Sequence, residues 1–175
     1  MSDLLDRIAA YVDDLVILTE YEGRLLTWVG RQRFANARRL NRDPGQGPPH
    51  TADGNDIRAA HSEFAASLLL NRSWRPTIGE ICHPDVGDIV EVRSTDLENG
   101  RLIVKPNDKD DAPFVLILAD MEGLRFYFAG WMLGRAAKEW PTEYRYGHSA
   151  HYVPQSALSS RLSLVAWLAL REAGE

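Results

Sequence analysis

Residues 83–93 read His83-Pro84-Asp85-Val86-Gly87-Asp88-Ile89-Val90-Glu91-Val92-Arg93, and the fold expected of the chain turns on this run. Gly87-Asp88 has turn chemistry, so the arm ending in Asp85 is expected to fold back beside the arm carrying Glu91. Along the second arm side chains alternate faces: Glu91 and Arg93 project together, while Val90 and Val92 face the other way. Two carboxylates and a cation then converge at one end of a sheet. Hard divalent cations favour oxygen ligands, and Mg²⁺ often takes only one or two carboxylates while keeping several waters. Such an ion activates a water and stabilises charge on a phosphate. Spacing alone does not select this reading. With 25 acids in 175 residues, roughly three or four acid pairs fall at any fixed separation by chance. The competing reading is a surface hairpin whose Glu91 and Arg93 form a weak, exposed ion pair.

Upstream of this run the period is helical. Leu4, Leu5, Ile8, Val12, Leu15 and Val16 predict a helix over 3–19. Gly23 is expected to separate it from a second helix running through Leu25, Leu26, Val29, Phe34 and Ala37. Residues 43–55 (DPGQGPPHTADGN) read as a loop, and Asp56 as the N-cap of a helix from Ile57 to about Leu70. Downstream the pattern alternates. Ile78–Cys82 is a weak strand candidate and Ile89–Arg93 a strong one, followed by Arg101–Lys105. Phe114–Ala119 (FVLILA) is continuously apolar, as suits a central strand covered on both faces. Leu124–Trp131 is expected to pair with it. A helix over Gly134–Trp140, a short strand His151–Val153 and a helix from Leu158 to Glu172 complete the order. Links between the middle strands are too short for helical crossovers, which argues against a doubly wound parallel sheet. The class is α/β in the broad sense (α+β): one domain over 1–175, with N-terminal helices to 42, a loop over 43–55, a core over 56–158 and a C-terminal helix over 159–175.

A 175-residue chain with 45% hydrophobic and 26% charged residues suits one soluble globular domain. Cys82 is the only cysteine, so no internal disulfide forms. No apolar run approaches a membrane span, and the start of the chain carries acids unlike a signal peptide; a cytoplasmic protein with no membrane partner is expected. The formal net charge of −5 argues against coating nucleic acid by bulk positive charge. Between Arg24 and Arg42, however, stand six arginines and no acid. This stretch reads either as a solvated helix face or as a phosphate-contacting surface, with Arg31, Arg33, Arg38 and Arg39 its candidate contacts.

Pro84-Asp85, five residues, then Glu91-Val92-Arg93 resembles the signature of the PD-(D/E)XK nuclease superfamily, with arginine in the final lysine position. Glu63, in HSEFAASLLLN on the expected Ile57–Leu70 helix, matches the glutamate that often completes the superfamily's metal site. The downstream segments GRLIVKPND, FVLILA, AGWMLGRAAKEW and HYVPQSAL resemble those of small phage and prophage proteins of this group. The similarity covers roughly Ala60 to Leu158.

The resemblance implies a restriction-endonuclease-like core, a central mixed sheet of four to five strands flanked by helices, with an extra N-terminal helical pair. It implies Glu63, Asp85 and Glu91 as metal-site carboxylates, Mg²⁺ or Mn²⁺ as cofactor and hydrolysis of phosphodiester bonds in DNA, in the host cytoplasm if phage-encoded. Arg93 takes the place of the lysine that orients or deprotonates the attacking water. Arginine stays protonated at physiological pH and cannot act as a base; it can position a phosphate or stabilise developing charge. Lys105 is the alternative source of an amine. The departure at Arg93 leaves a second expectation open, a catalytically inactive nuclease-fold protein that binds nucleic acid or a protein partner, with homodimerisation also open. Asp88 reads as a turn residue, Asp108, Asp110 and Asp111 as a solvated loop, and Trp131 as a packing residue. Cys82, His83, His148 and His151 lack the paired spacing of a zinc site.

Overall fold

The apolar run at 114–119 becomes the strand around which the molecule is organised. In the computed structural model, which describes residues 14–40, 53–78, 83–145 and 148–174, strand β4 (Pro113–Asp120) is buried along nearly its whole length. It lies between β5 (Arg125–Leu133) and β2 (Glu91–Thr95), and β1 (Leu15–Ile17) adds beyond β5. Together they make a four-stranded sheet of order β1-β5-β4-β2. The pairings β1/β5 and β4/β5 are antiparallel and β2/β4 is parallel, so the sheet is mixed. A second, three-stranded sheet takes β3 (Leu102–Val104), β7 (His148–Val153) and β6 (Thr142–Arg145) in the order β3-β7-β6.

The four-stranded mixed sheet agrees with the central sheet of four to five strands that the resemblance implies, whereas the second, three-stranded sheet was not expected. Leu102 and Val104 are buried not in the main sheet but in a separate core with Ala112, Phe114, Leu116, Ala137 and Val153, and β3 pairs with β7. The parallel β2/β4 pair is closed by a crossover that passes through β3, with no helix in it. The fold class itself is as expected, a mixed α/β arrangement.

Helix α1 (Glu20–Arg39) opens with a capping box, in which Thr19 Oγ1 accepts from the Glu22 N–H and Glu22 accepts from the Thr19 N–H. Gly23 does not break a helix; it lies inside α1, facing Leu124. Of the helix expected over 3–19, residues 3–13 lie outside the described residues, and Leu15 and Val16 are in β1. Pairing of Leu15 with Tyr127 and Val16 with Phe126 overrides the local helical period there. Helix α2 (Gly54–Leu70) follows, one turn earlier than expected, with Asp53 rather than Asp56 at its N-cap. Most of the loop at 43–55 and all but Ile78 of the strand candidate 78–82 lie outside the described residues. So does Cys82.

Helix α2 is buried on most of its surface because it lies between α1 and the four-stranded sheet. Gly30 sets its approach to α1: a Cβ there would stand 2.4 Å from the Ile57 Cα. Helix α3 (Gly134–Ala137) follows β5 directly, and α4 (Arg161–Glu172) packs Leu164 and Leu168 into the main core. Trp131 is a packing residue, as its context suggested: it is buried and its indole N–H donates to Ser163 Oγ at 2.9 Å. Among the described residues no helix is long and apolar enough to cross a membrane.

Candidate functional site

The turn expected at Gly87-Asp88 forms. Val86 and Val90 exchange both backbone hydrogen bonds at 3.1 Å, and Gly87 takes the left-handed conformation, φ +57°, which glycine adopts without penalty. This tight pairing sets Asp85 and Glu91 on the two arms just beyond it. Asp85 Oδ2 then accepts the Val92 N–H at 2.7 Å. Alternation along β2 is also as expected: Val90 and Val92 are buried, whereas Glu91 and Arg93 are half-buried on the other side.

Glu63 comes to the same region from α2 and is buried. It does not stand free there. Arg33 Nη1 and Nη2 donate to its two oxygens at 2.7 Å each, and the Trp74 indole N–H donates to Oε2 at 3.0 Å. Arg33 Nε donates to the Thr77 carbonyl at 2.9 Å. Arg33 therefore turns inward, away from the surface role that its place in the arginine run suggested.

Asp85 as a whole residue is half-buried, with its carboxyl group on the enclosed side. Burial raises that carboxyl to about 7, reinforced by the negative charges of Glu63 and Glu91 and opposed by the Val92 N–H and Arg93. Glu91 is also raised by burial, with Arg93 working against the shift. Burial disfavours the Arg33 charge, yet Glu63, Asp85 and Asp56 together hold its proton more tightly than an ordinary arginine does. Asp85 thus lies enclosed beside two further carboxylates, Glu63 and Glu91.

Arg93 is held by several partners. Its Nη2 donates to Asp108 Oδ2 at 3.1 Å, Nη1 donates to the Val92 carbonyl at 3.2 Å, and Glu91 Oε2 lies 3.7 Å away. The guanidinium also sits 5.0 Å from the Phe114 ring centroid. Asp108 is not part of a merely solvated loop, since Oδ2 also accepts the Lys105 N–H at 2.9 Å. Lys138 ties the same loop down through the Asp108 carbonyl and Asp110 Oδ1. Lys105 contributes its backbone N–H to this arrangement and lies just beyond β3, in the second sheet.

Asp85 and Glu91 fit a hard divalent cation: both are oxygen donors, a short turn brings them together, and the Asp85 carboxyl is enclosed among negative charges. Glu63 fits only if Arg33 releases it. Among the described residues no three His, Cys, Asp or Glu side chains are grouped closely enough to hold a metal ion, so the site as it stands rests on Asp85 and Glu91.

The run of arginines divides by face. Arg31, Arg38 and Arg39 are exposed on α1, with Arg31 3.4 Å from Asp53 and Arg39 bonded to Asn36 at 2.8 Å. Tyr21, Arg24, Trp28, Arg31 and Arg38 share one exposed stripe at three-, four- and seven-residue spacing. An open groove of about 490 Å³ runs beside it, lined in part by Arg24, Trp28 and Arg31.

Sequence reasoning missed Arg33 as a partner of Glu63, Trp74 as its second donor and Asp108 as the anchor of Arg93. For Asp108 a signal was present: Lys105-Pro106-Asn107-Asp108 has turn composition, and an aspartate there caps the N–H three residues back. For Arg33 and Trp74 there was none. No family model, curated protein or solved structure matches the chain.

Proposed function

We propose that the chain is a Mg²⁺- or Mn²⁺-dependent nuclease of the PD-(D/E)XK type, with Asp85 and Glu91 as its principal metal ligands and DNA as its substrate. The observation that carries this reading is the pairing of Asp85 with Glu91 across the Val86–Val90 turn, with the Asp85 carboxyl enclosed and short of positive charge. A divalent ion there would supply that charge and lower the proton affinity of a bound water. Glu63 is the third carboxylate of the proposed site. The Val92 N–H fixes the Asp85 carboxylate through Oδ2. Arg93, held in place by Asp108 and Phe114, is suited to receive a phosphate oxygen and unsuited to take a proton. Arg31, Arg38 and Arg39 would meet the nucleic-acid backbone.

The test is cleavage of single- and double-stranded DNA with Mg²⁺ and with Mn²⁺. Asp85→Ala and Glu91→Ala are each expected to abolish cleavage; activity that survives the double substitution contradicts the assignment.

A second reading, a nuclease-fold protein that binds DNA or a protein without cutting, is favoured by one observation. Arg93 and Glu63 are both engaged, by Asp108 and by Arg33 respectively. This reading predicts no cleavage with either ion, alongside binding to DNA that weakens steeply with salt.

A further inference from the structure

Arg33 and Glu63 form the most completely satisfied ion pair in this region. The guanidinium uses both terminal nitrogens on the two Glu63 oxygens and its Nε on the Thr77 carbonyl, and its side chain is 15% exposed. Trp74 closes the remaining approach to Glu63 Oε2. Asp85 and Asp56 lie within electrostatic reach of the same cation. A buried pair of this kind is weak evidence of net stability, because well-packed apolar groups often serve as well. What it does fix is the position of one positive charge, next to the carboxylates proposed to hold a metal.

We propose that Arg33 is a tethered counter-cation of this carboxylate cluster, neutralising Glu63 in the metal-free protein and yielding it when a divalent ion binds. The inference rests on the metal-site reading. Arg33 is here a positioning residue: it sets the affinity for the ion and touches neither substrate nor the attacking water. Two positive charges cannot share the Glu63 carboxylate at full strength, so the ion binds against the displacement of the guanidinium. Selectivity follows as well. A divalent ion competes with a bidentate arginine where a monovalent ion does not.

The measurement is Mn²⁺ affinity, read from the paramagnetic resonance of free Mn²⁺, for the wild-type chain, Arg33→Gln, Arg33→Lys and Asp85→Asn. Arg33→Gln is expected to bind Mn²⁺ about tenfold more tightly than wild type, and Arg33→Lys, which keeps the charge but loses the fork, by a smaller factor. If Arg33→Gln does not fold without metal, Arg33→Lys decides. A purely structural Arg33 would lower thermal stability in these variants and leave Mn²⁺ affinity unchanged, and that result overturns the inference. In the wild type, the Arg33 Nε–Hε resonance is expected to move on Mg²⁺ saturation as its neighbours rearrange; a resonance that stays fixed is equally contrary. Loss of binding in Asp85→Asn with no change in the Arg33 variants removes this inference alone. Absence of Mn²⁺ binding in the wild type removes the metal-site reading, and this inference with it.

Discussion

Asp85 is the residue on which the proposed chemistry depends, and its titration makes it testable without a substrate. Its carboxyl is raised to about 7 in the folded chain against an ordinary value of 3.8. Between those limits the folded state keeps a proton that the unfolded state has released, so stability falls as pH rises through this window and levels off above it. Asp85→Asn retains an oxygen for the Val92 N–H and removes the titration. The variant is expected to be more stable than wild type at pH 8, with the difference shrinking toward pH 4, as read from denaturant unfolding across that range. Parallel curves would contradict the assignment. A divalent ion acts in the opposite sense, since it competes with the proton: stabilisation by Mn²⁺ should grow as pH rises past 7. Asp85 and Glu91 were legible in the sequence because a short turn and a two-residue alternation bring them together. The inward turn of Arg33 was not, because it depends on which face of α1 meets α2, and its partner lies 30 residues away.

At the scale of elements, the packing of α1 on α2 decides whether Arg33 and Glu63 meet. Gly30 is one turn before Arg33, and its Cβ would strike backbone, standing 2.4 Å from the Ile57 Cα. Gly23 differs, since its Cβ would meet the end of a side chain, Leu124 Cδ1 at 3.0 Å. Gly30→Ala is therefore expected to cost about 2 kcal/mol or more, and Gly23→Ala clearly less, as measured by chemical denaturation. Equal destabilisation would show that the helices are free to adjust at Ile57. The elements themselves were read well where the pattern was long: α2 and β4 carry many residues of one period, and their interiors are burial-driven. Short pieces were read poorly. Nothing local marks Leu15–Ile17 as a strand, because its three residues gain their conformation from β5. The division into two sheets is likewise non-local, for the pairing of β3 with β7 joins segments distant in the chain.

Across the whole molecule an acidic chain, net −5, presents a local basic stripe on α1, while Arg33 of the same helix turns inward to Glu63 of α2. If DNA binds through its phosphates, affinity should fall with salt, and removing one phosphate-neutralising arginine should flatten the log–log slope by about 0.9 for duplex DNA. Arg31→Ala, Arg38→Ala and Arg39→Ala are expected to flatten that slope, as measured by fluorescence anisotropy over a salt series. A slope unchanged in the triple variant would place the nucleic-acid surface elsewhere. The proposed chemistry at the other site is tested most directly by the anomalous scattering of Mn²⁺ in a crystal of the wild-type chain. An anomalous peak is expected between the Asp85 and Glu91 carboxylates, absent in Asp85→Asn. A wild-type crystal soaked at saturating Mn²⁺ with no peak there, and with Glu63 still clasped by Arg33, would contradict the metal site.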